Sequence, residues 1–238
     1  FPIPRFQPEI IRFEINPTTS AFSITQRIDL TLPGGQPLSG LPNLQASAQG
    51  LAFTDEVPID LFGNQLANSA FGADLEGVVV APDGTFWMVD EYRPAIYHFD
   101  AGGVLVNRFI PQGTAAAVNA PAGTFGVEVF PAVYAQRRAN RGFEAVALHG
   151  TKLYAFIQSA LDNPDTANDA TSRASRNLRI LEFDVVSQTV TAEYLYELRD
   201  ISGTGVARTD KIGDATALGG GRFMVIERDD RVGYDANK

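Results

Sequence analysis

The stretch Asp74-Leu75-Glu76-Gly77-Val78-Val79-Val80-Ala81-Pro82-Asp83-Gly84-Thr85-Phe86-Trp87-Met88-Val89-Asp90-Glu91-Tyr92-Arg93 decides the reading of this chain. An apolar run climbs from Glu76, Pro82-Asp83-Gly84 turns it, and a second apolar run ends at Asp90 and Glu91. Two apolar runs about a tight turn predict an antiparallel hairpin. In such a hairpin the start of the first strand lies beside the end of the second. Glu76 is therefore expected near Asp90 and Glu91, with Arg93 following closely. Carboxylates gathered at one end of a hairpin repel unless something offsets their charge.

The same unit recurs further along. Glu144 opens Glu-Ala-Val-Ala-Leu, turns at His149-Gly150-Thr151 and returns to Gln158. Asp214 opens Asp-Ala-Thr-Ala-Leu, turns at Gly219-Gly220-Gly221 and returns to Glu227. The three starts lie 68 and 70 residues apart, from 76 to 144 and from 144 to 214. After the first and second copies a further strand pair follows, at residues 95–110 and 178–196. Four antiparallel strands per repeat are the mark of a propeller blade. A β-sandwich gives no reason for the acid-hairpin-acid unit to recur in register. The expected fold is all-β, a β-propeller with blades of about four antiparallel strands and long polar inserts. The reading treats residues 1–238 as one domain. The period exceeds the usual blade of about 40 to 50 residues, and the polar inserts account for the excess. At this period the chain holds only three to four blades. Either it is incomplete at one or both ends, or further blades lie within residues 1–73.

Outside the hairpins the signals are thinner. Pro2, Pro4 and Pro8 favour extended backbone, and residues 10–15 and 22–32 alternate as strands do. Residues 36–73 are rich in small and polar residues, with one short strand expected at 50–53. Residues 111–141 form a long insert, with a short helix expected at 131–139. Residues 159–177 and 199–213 are polar connections. The chain begins with Phe1 rather than Met, which fits a trimmed, a processed or a partial chain.

Composition excludes several classes. With 45% hydrophobic and 20% charged residues the chain is globular rather than disordered. A net charge of −9 argues against a general nucleic-acid binder, which needs a basic footprint. With no cysteine there is no disulfide, no zinc-finger site and no thiolate nucleophile. No apolar run approaches the roughly 18 to 20 residues that span a bilayer. No nucleophile elbow, P-loop or dinucleotide fingerprint occurs.

If each hairpin holds the same place in its blade, the polar ends gather around the axis on one face. That face would collect Glu76, Asp90, Glu91, Glu144, Gln158, Asp214, Glu227, Arg228 and Asp229. The candidate metal ligands are Glu76, Asp90, Glu91, Glu144, Asp214 and Glu227. Oxygen donors of this kind suit Ca²⁺, or Mg²⁺, over softer metals. His98 and His149 are poorly placed for a transition metal. Arg93, Arg173, Arg176, Arg228 and Arg231 leave from the same rim, where Arg can grip an anion bidentately. Each of these residues also has a purely structural reading: the acids bond backbone amides, and the arginines neutralise the acids. Asp162, Asp165 and Asp169 are spaced somewhat like calcium-loop ligands but lack the Gly and terminal Glu of an EF-hand.

Asp74-Leu75-Glu76-Gly77, Val89-Asp90-Glu91-Tyr92-Arg93-Pro94, Arg141-Gly142-Phe143-Glu144-Ala145 and Ile226-Glu227-Arg228-Asp229 together resemble the phytase-like family, described as esterase-like activity of phytase. The resemblance runs from about residue 45 onward. Glu144-Ala145 departs from the family's usual Glu-Gly. The resemblance implies a β-propeller, phosphoester hydrolysis, a small anionic substrate such as a phosphate ester, and an exported bacterial setting outside the cytoplasm. On it, Glu76, Asp90, Arg93, Glu144 and Arg228 are the expected catalytic residues. The alternative is a non-catalytic propeller, a binding or scaffold module of an exported or cell-surface assembly. A lactonase-like propeller acting on cyclic esters is a third option. No nucleic acid and no membrane span are expected; protein partners are left open.

Overall fold

The computed structural model describes residues 6–42, 57–163, 172, 174–199 and 210–229. Among the described residues the regular structure is almost wholly β-strand, paired antiparallel except for β6 with β7. Strands β1 (Glu9–Ile15) and β2 (Phe22–Asp29) form a two-stranded sheet. Strands β3 (Leu75–Val80), β4 (Phe86–Asp90), β5 (Ala95–Phe99), β6 (Leu105–Pro111) and β7 (Val127–Phe130) form a five-stranded sheet in sequence order. Strands β8 (Phe143–His149), β9 (Lys152–Ile157), β10 (Asn177–Asp184) and β11 (Thr189–Glu197) form a four-stranded meander. Strands β12 (Lys211–Gly219) and β13 (Arg222–Arg228) form the third acid hairpin.

The two large sheets are blade-like units of the kind the repeat predicts, and the three hairpins fall where the repeat places them. Among the described residues the sheets do not close into a ring. The expected helix at 131–139 is a 3₁₀ turn, Ala132–Gln136. The long insert also supplies β7, which pairs parallel to β6 and adds a fifth strand that four-strand repetition does not foretell. The expected strand at 50–53 lies outside the described residues.

Strand β4 explains how the sheets stack. All five of its residues are buried. Trp87 and Val89 join one core with Phe109, Phe143 and Phe183, while Phe86 and Met88 join a second with Ile28, Leu30 and Phe99. A strand covered on both faces reads as a continuous apolar run rather than an alternation, as Phe86-Trp87-Met88-Val89 does. Trp87 stacks on His98 across the β4–β5 pair, with centroids 4.0 Å apart. Strand β8 packs against β3 on one side and β12 on the other, so the leading strands of all three hairpins are neighbours. A cleft of about 390 Å³ separates them, lined by Val79, Val146, Asp214 and Ala217 among others. Gly77 permits the approach: a Cβ there would stand 2.7 Å from the backbone N of Val146.

Candidate functional site

The hairpin ends are stitched together by backbone. Gly142 N donates to Glu91 O at 2.6 Å, Gln158 N to Gly142 O at 2.8 Å, and Ile212 N to Gln158 O at 2.8 Å. These bonds join the acidic end of β3–β4 to that of β8–β9, and β8–β9 to β12. Each leading strand also carries a β-bulge at that end. The pairing slips between Leu75 and Val78, between Phe143 and Ala145, and between Ile212 and Asp214. A bulge re-aims side chains and bends its strand. Here the extra residues are Glu76 with Gly77, then Glu144, then Gly213.

Carboxylate oxygens of Asp74, Glu76 and Glu91 come within 4.8 Å of one another, a cluster able to hold a metal ion. Glu76 keeps much of its surface open to solvent while Asp74 and Glu91 are partly buried. Glu76 is nevertheless pushed up to about 8, by desolvation first and then by the charges of Glu144 and Asp74. Glu91 is raised as well, by burial first, then by Glu144 and Asp74. Asn140 Nδ2 donates to Glu91 Oε2 at 3.0 Å, and Gln158 Nε2 donates to both Glu91 Oε1 and Glu144 Oε2. All-oxygen donors sharing excess negative charge fit a hard cation.

Asp90 sits beneath this group with no exposed surface. Its Oδ1 accepts from Asp74 N at 3.0 Å and Tyr92 N at 3.1 Å, and its Oδ2 lies 3.6 Å from Arg108 Nη2. It clasps the backbone on which Asp74 and Glu91 are carried, and its oxygens are not among the three that converge. Burial pushes its carboxyl up against the opposing pull of Arg108. Arg108 is itself buried, over the ring of Tyr97.

The other expected residues divide. Glu144 borders the cluster, but its Oε1 takes Arg228 Nη2 at 2.9 Å. Asp214 lines the cleft and accepts from Ala215 N at 2.7 Å. Glu227 accepts from Tyr196 Oη at 2.6 Å and from Arg199 N at 3.0 Å, so it ties its hairpin to β11. Arg93 follows Tyr92, and its backbone lies where Gly142 comes in. Arg176 pairs with Glu197 and Leu198 O, away from the trio. Asp162 is fully buried and accepts from Ser172 Oγ, which accepts from Arg138 Nη2 at 2.7 Å, a clasp between loops rather than an open calcium loop. Asp165, Asp169, Arg173 and Arg231 lie outside the described residues. Neither His98 nor His149 is in the cluster.

Asp74 is the residue of the trio that reading the sequence for ligands passed over. Asp74 precedes β3 and Glu76 sits in that strand's bulge, so regular alternation does not foretell their meeting. Asp90 is the last residue of β4 and Glu91 the first of the turn that follows, and the two side chains part there.

Three likenesses to known proteins are found. The model of the phytase-like family, described as esterase-like activity of phytase, matches residues 4–238. An "Uncharacterized secreted protein" of Arthroderma benhamiae is 27% identical over 237 aligned residues, covering 87% of this chain and 45% of the relative. The chain thus spans less than half the length of that relative. A solved structure named "Structure of Dos1 propeller" aligns over 66% of this chain and 44% of its own, at 13% identity and a TM-score of 0.24, a likeness too slight to bear on the fold. No helix among the described residues is long and apolar enough to cross a membrane.

Proposed function

We propose, for a chain that belongs to the phytase-like family, that the rim of its leading strands is a metal-assisted phosphoester hydrolase site. The observation that carries the reading is the convergence of Asp74, Glu76 and Glu91 beside the Glu144–Arg228 pair. Asp74, Glu76 and Glu91 would hold Ca²⁺ or a similar hard cation, with Glu144 bordering it. Such a cation supplies polarisation of a phosphoryl oxygen and a bound water of lowered pKa. Arg228, kept in place by Glu144, faces the substrate's phosphate, and Arg93 is its candidate companion. Asp90 holds the backbone of Asp74 and Tyr92 rather than ligating. Glu76, whose pKa is raised to about 8 without the cation, would give up its proton as the cation binds. The substrate class is a small phosphate ester. The secreted relative supports action outside the cytoplasm.

A chelated sample assayed on p-nitrophenyl phosphate and inositol phosphates, before and after calcium is restored, tests this reading. Activity should vanish with the cation and return with it, and Glu76→Gln should abolish it. Activity indifferent to chelation and to Glu76→Gln would sink it. One arrangement favours the alternative of a non-catalytic binding or scaffold propeller. Gln158 bridges Glu91 to Glu144, and Arg228 crosses from β13 to β8, so the same polar groups tie the sheets together. No hydrolysis across the panel would favour that module.

A further inference from the structure

Away from the rim, a cavity of about 490 Å³ lies along the edge of β6. Strand β7 pairs with β6 only from Phe109 onward, opposite Val127. The cavity takes up the edge before that point, between residues 105–108 of β6, the turn around Leu32 and Gln36, Phe71, and residues 123–127. Two local features shape it. The β5–β6 pairing passes from His98 with Asn107 to Phe99 with Leu105, so Val106 is the extra residue of a bulge. Bulges re-aim side chains, and Val106 is 50% exposed. Gly126, at φ +125°, lets the turn before β7 lie against β6: a Cβ there would stand 2.4 Å from Arg108 O.

The walls are mainly apolar, from Leu32, Phe71, Leu105, Val106 and Val127, with Gln36, Asn107 and Arg108 as the polar groups. Apolar walls with a few polar groups, in a volume of roughly 300 to 1,000 Å³, are the usual make-up of a small-molecule site. Arg108 supplies the second observation. Its side chain is 2% exposed. Nη1 donates to Phe125 O at 2.9 Å and Ala70 O at 3.4 Å, and Nη2 lies 3.6 Å from Asp90 Oδ2. Nε is buried and has no hydrogen-bond partner. A buried donor left unpaired is uncommon and calls for an acceptor. The guanidinium charge is already met by Asp90 and by the ring of Tyr97. What Arg108 lacks is an acceptor for one N–H, not an anion.

We propose that this cavity binds a small, uncharged, mainly apolar molecule bearing a carbonyl oxygen. Arg108 Nε takes the oxygen, and the body of the molecule lies against Phe71, Val106 and Val127. The site stands apart from the acid trio and needs neither a cation nor hydrolysis. Acetophenone and cumene test it, since they are alike in shape and differ in the carbonyl. Each is titrated in chelator into ¹⁵N-labelled protein, and the amide signals of Leu105–Arg108, Gly126 and Val127 are followed. Acetophenone should shift these signals saturably, and cumene should bind roughly 10-fold or more weakly, as expected when a hydrogen bond to a charged group is lost. Val127→Trp, at a position 45% exposed, should block the cavity and remove the shifts while the melting temperature stays near wild type. Val106→Trp blocks it from the facing strand and serves if Val127→Trp does not fold. No saturable shift with acetophenone, equal affinity for cumene, or undiminished binding in a folded Trp variant would overturn the proposal.

Discussion

Asp90 and Glu91 are adjacent and chemically alike, and the fold gives them opposite duties. Asp90 is sealed inside, accepting two backbone N–H groups and facing Arg108. Glu91 turns to the rim with Asp74 and Glu76. Their substitutions should therefore behave differently. Asp90→Ala leaves Arg108 buried without its carboxylate and should cost about 3–5 kcal/mol of stability, read by chemical denaturation. Glu76→Gln should leave stability in chelator close to wild type while removing the rise in melting temperature that calcium gives. Gly142 is a third case. A Cβ there would lie 2.5 and 2.6 Å from the carbonyl oxygens of Asp90 and Glu91. Gly142→Ala should lower stability by about 1–3 kcal/mol, the usual cost of overpacking, and a melt matching wild type would contradict the close approach.

At the scale of the hairpin, the acidic ends make stability depend on pH. Glu76 and Glu91 have folded-state pKa values above the ordinary 4.5, so the folded chain keeps protons that the unfolded chain has already lost. Stability from this pair then falls as pH rises from about 4.5 towards about 8. A bound cation favours the charged forms and reverses the trend. Calcium should raise the melting temperature more at pH 8 than at pH 5, and an equal rise at both would contradict the trio. The hairpins themselves were legible in the sequence, because Pro-Asp-Gly and Gly-Gly-Gly turns between apolar runs act locally. The bulges were not: a slip of one residue leaves no mark in Phe143-Glu144-Ala145, yet it sets where Glu144 points. Strand β7 was equally hidden, since its parallel pairing to β6 is a tertiary choice within a polar insert. Asp74 was visible only as a further carboxylate near Glu76, since it precedes β3 and the bulge at Glu76 sets how the two meet.

Across the whole molecule the site is assembled from distant segments. Asp74, Glu76 and Glu91 come from the first hairpin, Glu144 and Gln158 from the second, and Arg228 from the third. What brings them together is the packing of β3 and β12 on either side of β8, with Gly77 letting β3 close in. Gly77→Ala should accordingly weaken calcium binding without touching a ligand, measurable as a lower affinity in the same titration used for wild type. The most direct measurement is calorimetric titration of calcium near pH 7, run in two buffers of different ionisation enthalpy. Saturable binding that releases protons, since Glu76 and Glu91 must ionise, and that disappears in Glu76→Gln is the result predicted. No saturable heat in the wild-type protein, or the same heat in Glu76→Gln, would contradict the account.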